Sequence, residues 1–137
     1  MTLDPERALT GAIFAYLRAD HGLATVLGDP PRVYDAPPPD PIYPYLTLSR
    51  GQAKPWGGVE GEGVEHALTL TALSEFDGLE EARQIGALVR ASLDEAALTL
   101  ADHRLVNLRV SFVDVFRAAD WLSSFAVLRL RAVTEPL

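Results

Sequence analysis

"HRLVNLRVSFVDVFRAADWLSSFAVLRLRAVTEP", residues 103–136, alternates apolar and polar residues on both sides of Ala118-Ala119-Asp120. A period of two marks a strand with one side on a core and the other toward water. The simplest reading is a long β-hairpin in which Arg117 faces Trp121 across a three-residue loop. That register sets Val106, Leu108 and Val110 against Ala132, Leu130 and Leu128, a good core face. It also sets Arg109 across from Arg129, with Arg131 nearby, and like charges directly opposite destabilise a strand pair. Glu60, Glu62 or Glu65, from this chain or a neighbour, are the expected partners, which assigns these arginines to ion pairing rather than to DNA. Nearer the tip both faces turn apolar, through Phe112, Val113, Val115, Phe116, Trp121, Leu122 and Phe125. A monomer rarely leaves that much apolar surface in water. Either a helix or the proline-rich stretch covers it, or a second subunit does.

Upstream, "YLTLSR" (45–50) and "VEHALTLTALS" (64–74) alternate in the same way, the second with Val64, Leu68, Leu70 and Ala72 on one face. Between them "GQAKPWGGVEGEG" (51–63) is too glycine-rich for regular structure and is expected as a loop. Asp4-Pro5 is a strong helix start, with Asp as N-cap and Pro at the first helical position. Leu9, Ala12, Ile13, Tyr16 and Leu17 then share a face, and His21-Gly22 ends the helix. A second helix is expected from Asp77, with Glu80 completing a capping box and Leu79, Ala82, Ile85, Val89 and Leu93 forming its apolar stripe. The order helix, strands, helix, hairpin predicts one α+β domain over residues 1–137: a mainly antiparallel sheet, two helices on one face, and a long C-terminal hairpin.

The chain has 137 residues, enough for one domain with a real core. Its 48% hydrophobic and 23% charged residues are ordinary globular composition. No cysteine is present, which excludes disulfides and thiolate metal sites. The N-terminus lacks the basic start and apolar core of a signal peptide, and no apolar run is long enough to cross a membrane. A soluble, unprocessed protein is expected. The formal charge of −7 argues against a surface built to grip nucleic acid, although an acidic wall could let DNA slide past.

Chemistry finds little foothold. His21, His66 and His103, at a helix end and in two strands, have no ligand-like spacing. His66 with Glu62 and Glu65 is the one His/acid grouping, and its Glu-Gly-Glu stretch running into a strand reads as a solvated turn. No serine sits in a nucleophile elbow. The glycines of "WGGVEGEG" lack a Gly-Lys-Ser/Thr ending, and their glutamates would repel phosphate. Glu80-Glu81 and Asp94-Glu95 are explained by helix ends and solvation. No enzyme, cofactor or metal is expected. Trp56, beside Lys54 and between glycines, is either a small satellite core or an aromatic anchor for a partner.

The order of features then carries a resemblance: an amphipathic first helix, "RVYDAPPPDPIYPYLTL" (32–48), Trp56 in a glycine-rich stretch, "GEGVEHALTLTALSE" (61–75), "EEARQIGALVRASL" (80–93), "LTLADHRLVNLRV" (98–110), and a hairpin ending "RLRAVTEP" (129–136). The chain resembles the tail-completion proteins of long-tailed phages and of phage-derived gene transfer agents, and among them the tail terminators. The Val-Tyr-Asp before the prolines, the Pro-Tyr opening the next strand and the Glu-His in the third are the most specific points.

The resemblance implies a structural virion protein, made in the bacterial cytoplasm and retained in the particle. It implies a homo-oligomer, a six-membered ring that caps the tail tube, stops its polymerisation and meets a head–tail connector (stopper or neck) protein, with DNA passing through the lumen. It brings no catalytic residues. Another head–tail connector role, or a soluble ligand-binding or enzymatic α+β domain, are the alternatives. Lys54, Trp56, Glu60, Glu62, Arg109, Phe116, Trp121, Phe125, Arg129 and Arg131 are the expected subunit or tube contacts. The prolines of 32–48 suit a ring subunit, since restricted φ angles lower the entropy lost when a loop is fixed on assembly. Stiffening for stability alone is the other explanation.

Overall fold

The computed structural model describes residues 4–57, 62–75, 79–120 and 122–137. Among these residues three helices and five strands follow one another as α1 (Pro5–Arg18), α2 (His21–Leu27), β1 (Val33–Tyr34), β2 (Tyr45–Trp56), β3 (Gly63–Ser74), α3 (Glu80–Leu93), β4 (His103–Arg117) and β5 (Ser124–Pro136). The strands form one sheet in the order β1-β2-β3-β5-β4. Only β1 pairs in parallel; every other neighbouring pair is antiparallel. The expected α+β class is what forms.

Period-two alternation decides which face is buried. In β3 His66, Leu68, Leu70, Ala72 and Ser74 are buried, and in β5 so are Ser124, Ala126, Leu128, Leu130 and Ala132. Leu9, Ile13 and Leu17 of α1, Leu23 and Leu27 of α2, and Ile85, Val89 and Leu93 of α3 close over them as one core. All three helices thus lie on the same side and leave the other face of the sheet open. Gly86 sits where α3 comes nearest the sheet: a Cβ there would lie 3.5 Å from that of Ala126 and 3.6 Å from Val113 Cγ1.

Asp4 caps α1 as its sequence implies, accepting from the Glu6 N–H at 2.9 Å with Pro5 at the first position. Several details differ from the sequence reading. His21-Gly22 does not end a helix but opens α2, because Asp20 caps it through the Leu23 N–H at 2.9 Å. The same carboxylate takes a 2.6 Å hydrogen bond from Ser92 Oγ of α3, which holds its pKa below the usual range. Tyr16, placed on the apolar face by spacing, is 40% exposed because it falls at the rim of the helix stripe. Asp77, the expected cap of the third helix, lies outside the described residues. That helix begins at Glu80 with Leu79 in the cap position and no side-chain cap, so Glu80 is its first residue rather than the far end of a capping box.

The larger corrections concern the sheet. Residues 51–56, expected as loop, continue β2 as far as Trp56. An edge strand tolerates Gly51 and Pro55, since a proline there forfeits no ladder hydrogen bond. The hairpin register also shifts. The tip closes with the Ala118 N–H donating to the Ser123 oxygen at 2.9 Å, so Arg117 faces Ser124 rather than Trp121. Irregularities between Leu105 and Asn107 and between Val110 and Phe112 shift it again, each inserting a residue into β4. In consequence Arg109 stands opposite Arg131, and Arg129 opposite Phe112.

Candidate functional site

The open face of the sheet gathers most of the residues singled out by sequence. Across its middle runs a trough of about 720 Å³ whose walls include Lys54, Glu65, Ala67, Ser111, Arg129 and Arg131. Glu65 organises it. Lys54 Nζ lies 3.3 Å from one carboxylate oxygen, and Arg131 Nε donates to the other. The hydrogen bond from Arg131, reinforced by Lys54, holds the Glu65 carboxyl below its ordinary pKa.

Arg109 turns to different acids. Asp94 Oδ1 lies 3.5 Å from its Nε and Glu95 Oε1 3.7 Å from Nη1. The turn after α3 presents both carboxylates to the edge of β4. Asp94 also accepts the Val110 N–H at 2.9 Å, and the Glu95 N–H donates to the Leu108 oxygen at 2.8 Å. The Val110 hydrogen bond is the main reason the Asp94 carboxyl titrates low. The facing arginines of β4 and β5 are therefore neutralised separately, one by the connection after α3 and one by β3. Glu62 is exposed and makes no ion pair among the described residues, and Glu60 lies outside them.

Arg129 differs. It has no carboxylate within ion-pair distance among the described residues, and its guanidinium stacks on the Phe112 ring at 4.8 Å. From there an aromatic stripe runs to the hairpin tip. Phe116 meets Phe125 edge-on with centroids 5.5 Å apart. Phe112 is 43%, Phe116 39% and Leu122 72% exposed. Trp121 lies outside the described residues. Among the described residues no helix covers this stripe, which belongs to the open face.

Trp56 ends β2 directly opposite Gly63. A Cβ on Gly63 would come within 2.7 Å of Trp56 Cε3 and 2.9 Å of the Trp56 backbone oxygen, so the indole lies down on a position only glycine can fill. At 38% exposed it still shows much of its surface. Trp56→Ala is expected to cost about 1–2 kcal/mol in urea unfolding, because much of this large side chain is covered but it lies away from the core. A loss of about 3 kcal/mol or more would make Trp56 a core residue instead.

His66, grouped in the sequence with Glu62 and Glu65 and expected in the strand over 64–74, is fully buried. The signal was in the alternation: position 66 has the parity of Leu68, Leu70 and Ala72. Its Nε2 lies 2.8 Å from Thr134 Oγ1, while Nδ1 is buried without a partner among the described residues. Burial pushes its pKa down, with His103 adding repulsion and Asp4 opposing. Among the described residues no group of three or more His, Asp or Glu side chains could hold a metal ion.

The family described as "Tail completion protein gp17" matches residues 11–135 of this chain. No curated protein matches it. Among solved structures, a chain from the "Virion of native gene transfer agent (GTA) particle" superposes with a TM-score of 0.88 at 29% sequence identity, covering 98% of this chain and 99% of that one.

Proposed function

Because the chain belongs to the tail completion protein gp17 family, we propose that it is the tail terminator of a phage or gene transfer agent particle. A ring of six copies caps the tail tube, stops its growth and presents a surface to the neck. The single observation that carries this reading is the end-to-end likeness to a chain built into a gene transfer agent virion. The site geometry supports a structural role, because Lys54, Glu65, Arg109 and Arg131 are engaged in ion pairs and the stripe toward the tip exposes aromatic and aliphatic groups. Proteins recognise one another through such surfaces. The ring acts as a passive conduit. With Arg109 and Arg131 held by carboxylates and a formal charge of −7, its lumen repels rather than grips a passing duplex.

Particle-producing cells lacking this chain provide the test. Tails of excessive and variable length, without heads, are the expected product. Tails of normal length that merely fail to join heads would instead assign the chain to the neck. Complete particles of normal tail length would overturn both roles.

A further inference from the structure

Two exposed features stand at the same end of the sheet on opposite edges. Tyr45 of β2 pairs with Leu73, Leu73 with Phe125, and Phe125 with Phe116, so these four residues form one row across the sheet. At the β4 end of that row lies the aromatic tip. At its β1–β2 end lies the loop joining Tyr34 to Tyr45, "DAPPPDPIYP" (35–44). Asp35 through Asp40 are all exposed, and Ile42 is 68% exposed.

The loop is held firmly at its base and bare at its crown. Arg32 Nε donates to the Pro44 oxygen at 3.0 Å, Thr47 Oγ1 donates to the Asp35 oxygen at 3.3 Å, and the Tyr34 and Tyr43 rings flank Tyr45 at 5.9 and 5.2 Å. It carries two acids and no base. The tip carries aromatic rings, and along the same stripe Arg129 stacks on Phe112 with no carboxylate within ion-pair distance among the described residues. Extended proline-rich segments bind grooves lined with aromatic side chains, because their backbone is already ordered.

We propose that loop 35–44 of one copy seats on the β4–β5 hairpin tip of the next. Ile42 packs against Phe116 and Leu122. Asp35 approaches Arg129, one level along: Tyr34 aligns with Thr47, Thr71, Val127 and Asp114, next to the row of Thr69, Arg129 and Phe112. Asp114 is exposed between Phe112 and Phe116, so the loop's carboxylate is drawn to the Arg129 end of the stripe rather than over its centre. The occupant is a second copy rather than another protein because loop and tip are complementary in charge and apolarity and lie level across one sheet. Donor and acceptor sit on opposite edges, so the contact is heterologous; it repeats head to tail and closes into a ring when the rotation allows. This contact rests on the ring proposed above and names the surfaces that build it.

The chain has no cysteine, so introduced thiols are the only ones. Particles assembled with the I42C/L122C chain should give, on mild oxidation, a ladder of covalent oligomers on a non-reducing gel. I42C or L122C alone should remain monomeric, and both positions are exposed enough to leave folding intact. A dimer from L122C alone would mean a tip-to-tip contact and overturn the proposal. Monomer throughout, in particles that contain the chain, would overturn it while leaving the terminator role standing. Crosslinks from position 122 to a different virion protein would give the tip to that partner instead. Absence of the natural chain from particles would sink the terminator role itself. As a second arm, Asp35→Arg and Arg129→Asp should each reduce incorporation into particles, and their combination should restore it. Full incorporation of both single variants would count against the contact.

Discussion

Leu128→Ala is expected to lower the unfolding free energy by about 3 kcal/mol, within the usual cost of emptying a fully buried leucine site. Leu128 is 0% exposed in β5, the strand lying between β3 and β4, and it pairs with Leu70 and Val113 on the two sides. The helices pack on that layer, so the site has little room to collapse into. For a domain stabilised by about 5–15 kcal/mol in total, the loss is large, and urea titration at neutral pH measures it directly. A loss under about 1 kcal/mol would mean that the helices do not close over the sheet at this point.

Acid should weaken the fold through His66 well before the carboxylates respond. Burial depresses its pKa in the folded state from the ordinary 6.5, so the unfolded chain binds the proton first. The sign follows: above about pH 6.5 this group costs nothing, and below it stability falls by up to about 1.4 kcal/mol per pH unit until the folded value is reached. Asp20, Glu65 and Asp94 have lowered carboxyl pKa values, so the stability they contribute is lost only at lower pH, as each protonates. Unfolding curves at pH 7.5 and 5.5 should therefore differ more for the natural chain than for His66→Gln, which cannot titrate. Equal pH dependence in the two proteins would mean that His66 is not the acid-sensitive group.

Alternation made β3, β5 and their buried face legible in the sequence, and Asp4-Pro5 fixed the start of α1. What escaped did so for local reasons. The helix α2 has seven residues and contains Gly22, Thr25 and Val26, too short and too poor in helix formers for a periodic signal; its cap, Asp20, is anchored by Ser92, 72 residues away. Glycine and proline disguised the second half of β2, although an edge strand accepts both. The two irregularities in β4 fall beside the adjacent apolar pairs Leu105-Val106 and Phe112-Val113, which mask the change of parity in the core-facing positions, and they decide which arginine faces which.

The interface candidates divided on the same lines. Lys54, Arg129 and Arg131 converge on one trough, and Phe116 meets Phe125 at the tip, because strand pairing brings them there. The partners of Arg109 were missed, since Asp94 and Glu95 read as an ordinary helix end. The left-handed turn at Glu95, φ 62°, is what turns them onto β4. Asp114, within the aromatic stripe, drew no notice in the sequence, because its face follows from the shifted register alone.

Each contact in a stable ring should bury on the order of 1,000 Å² or more, which the aromatic tip and the proline loop together could begin to supply. The central claim, that this chain terminates a tail as a closed ring, is tested most directly by a density map of the assembled particle in which its copies are located and counted. Six copies in one ring at the head-proximal end of the tail tube is the expected result. One or two copies per particle, or a position at the distal tip or within the capsid, would contradict it.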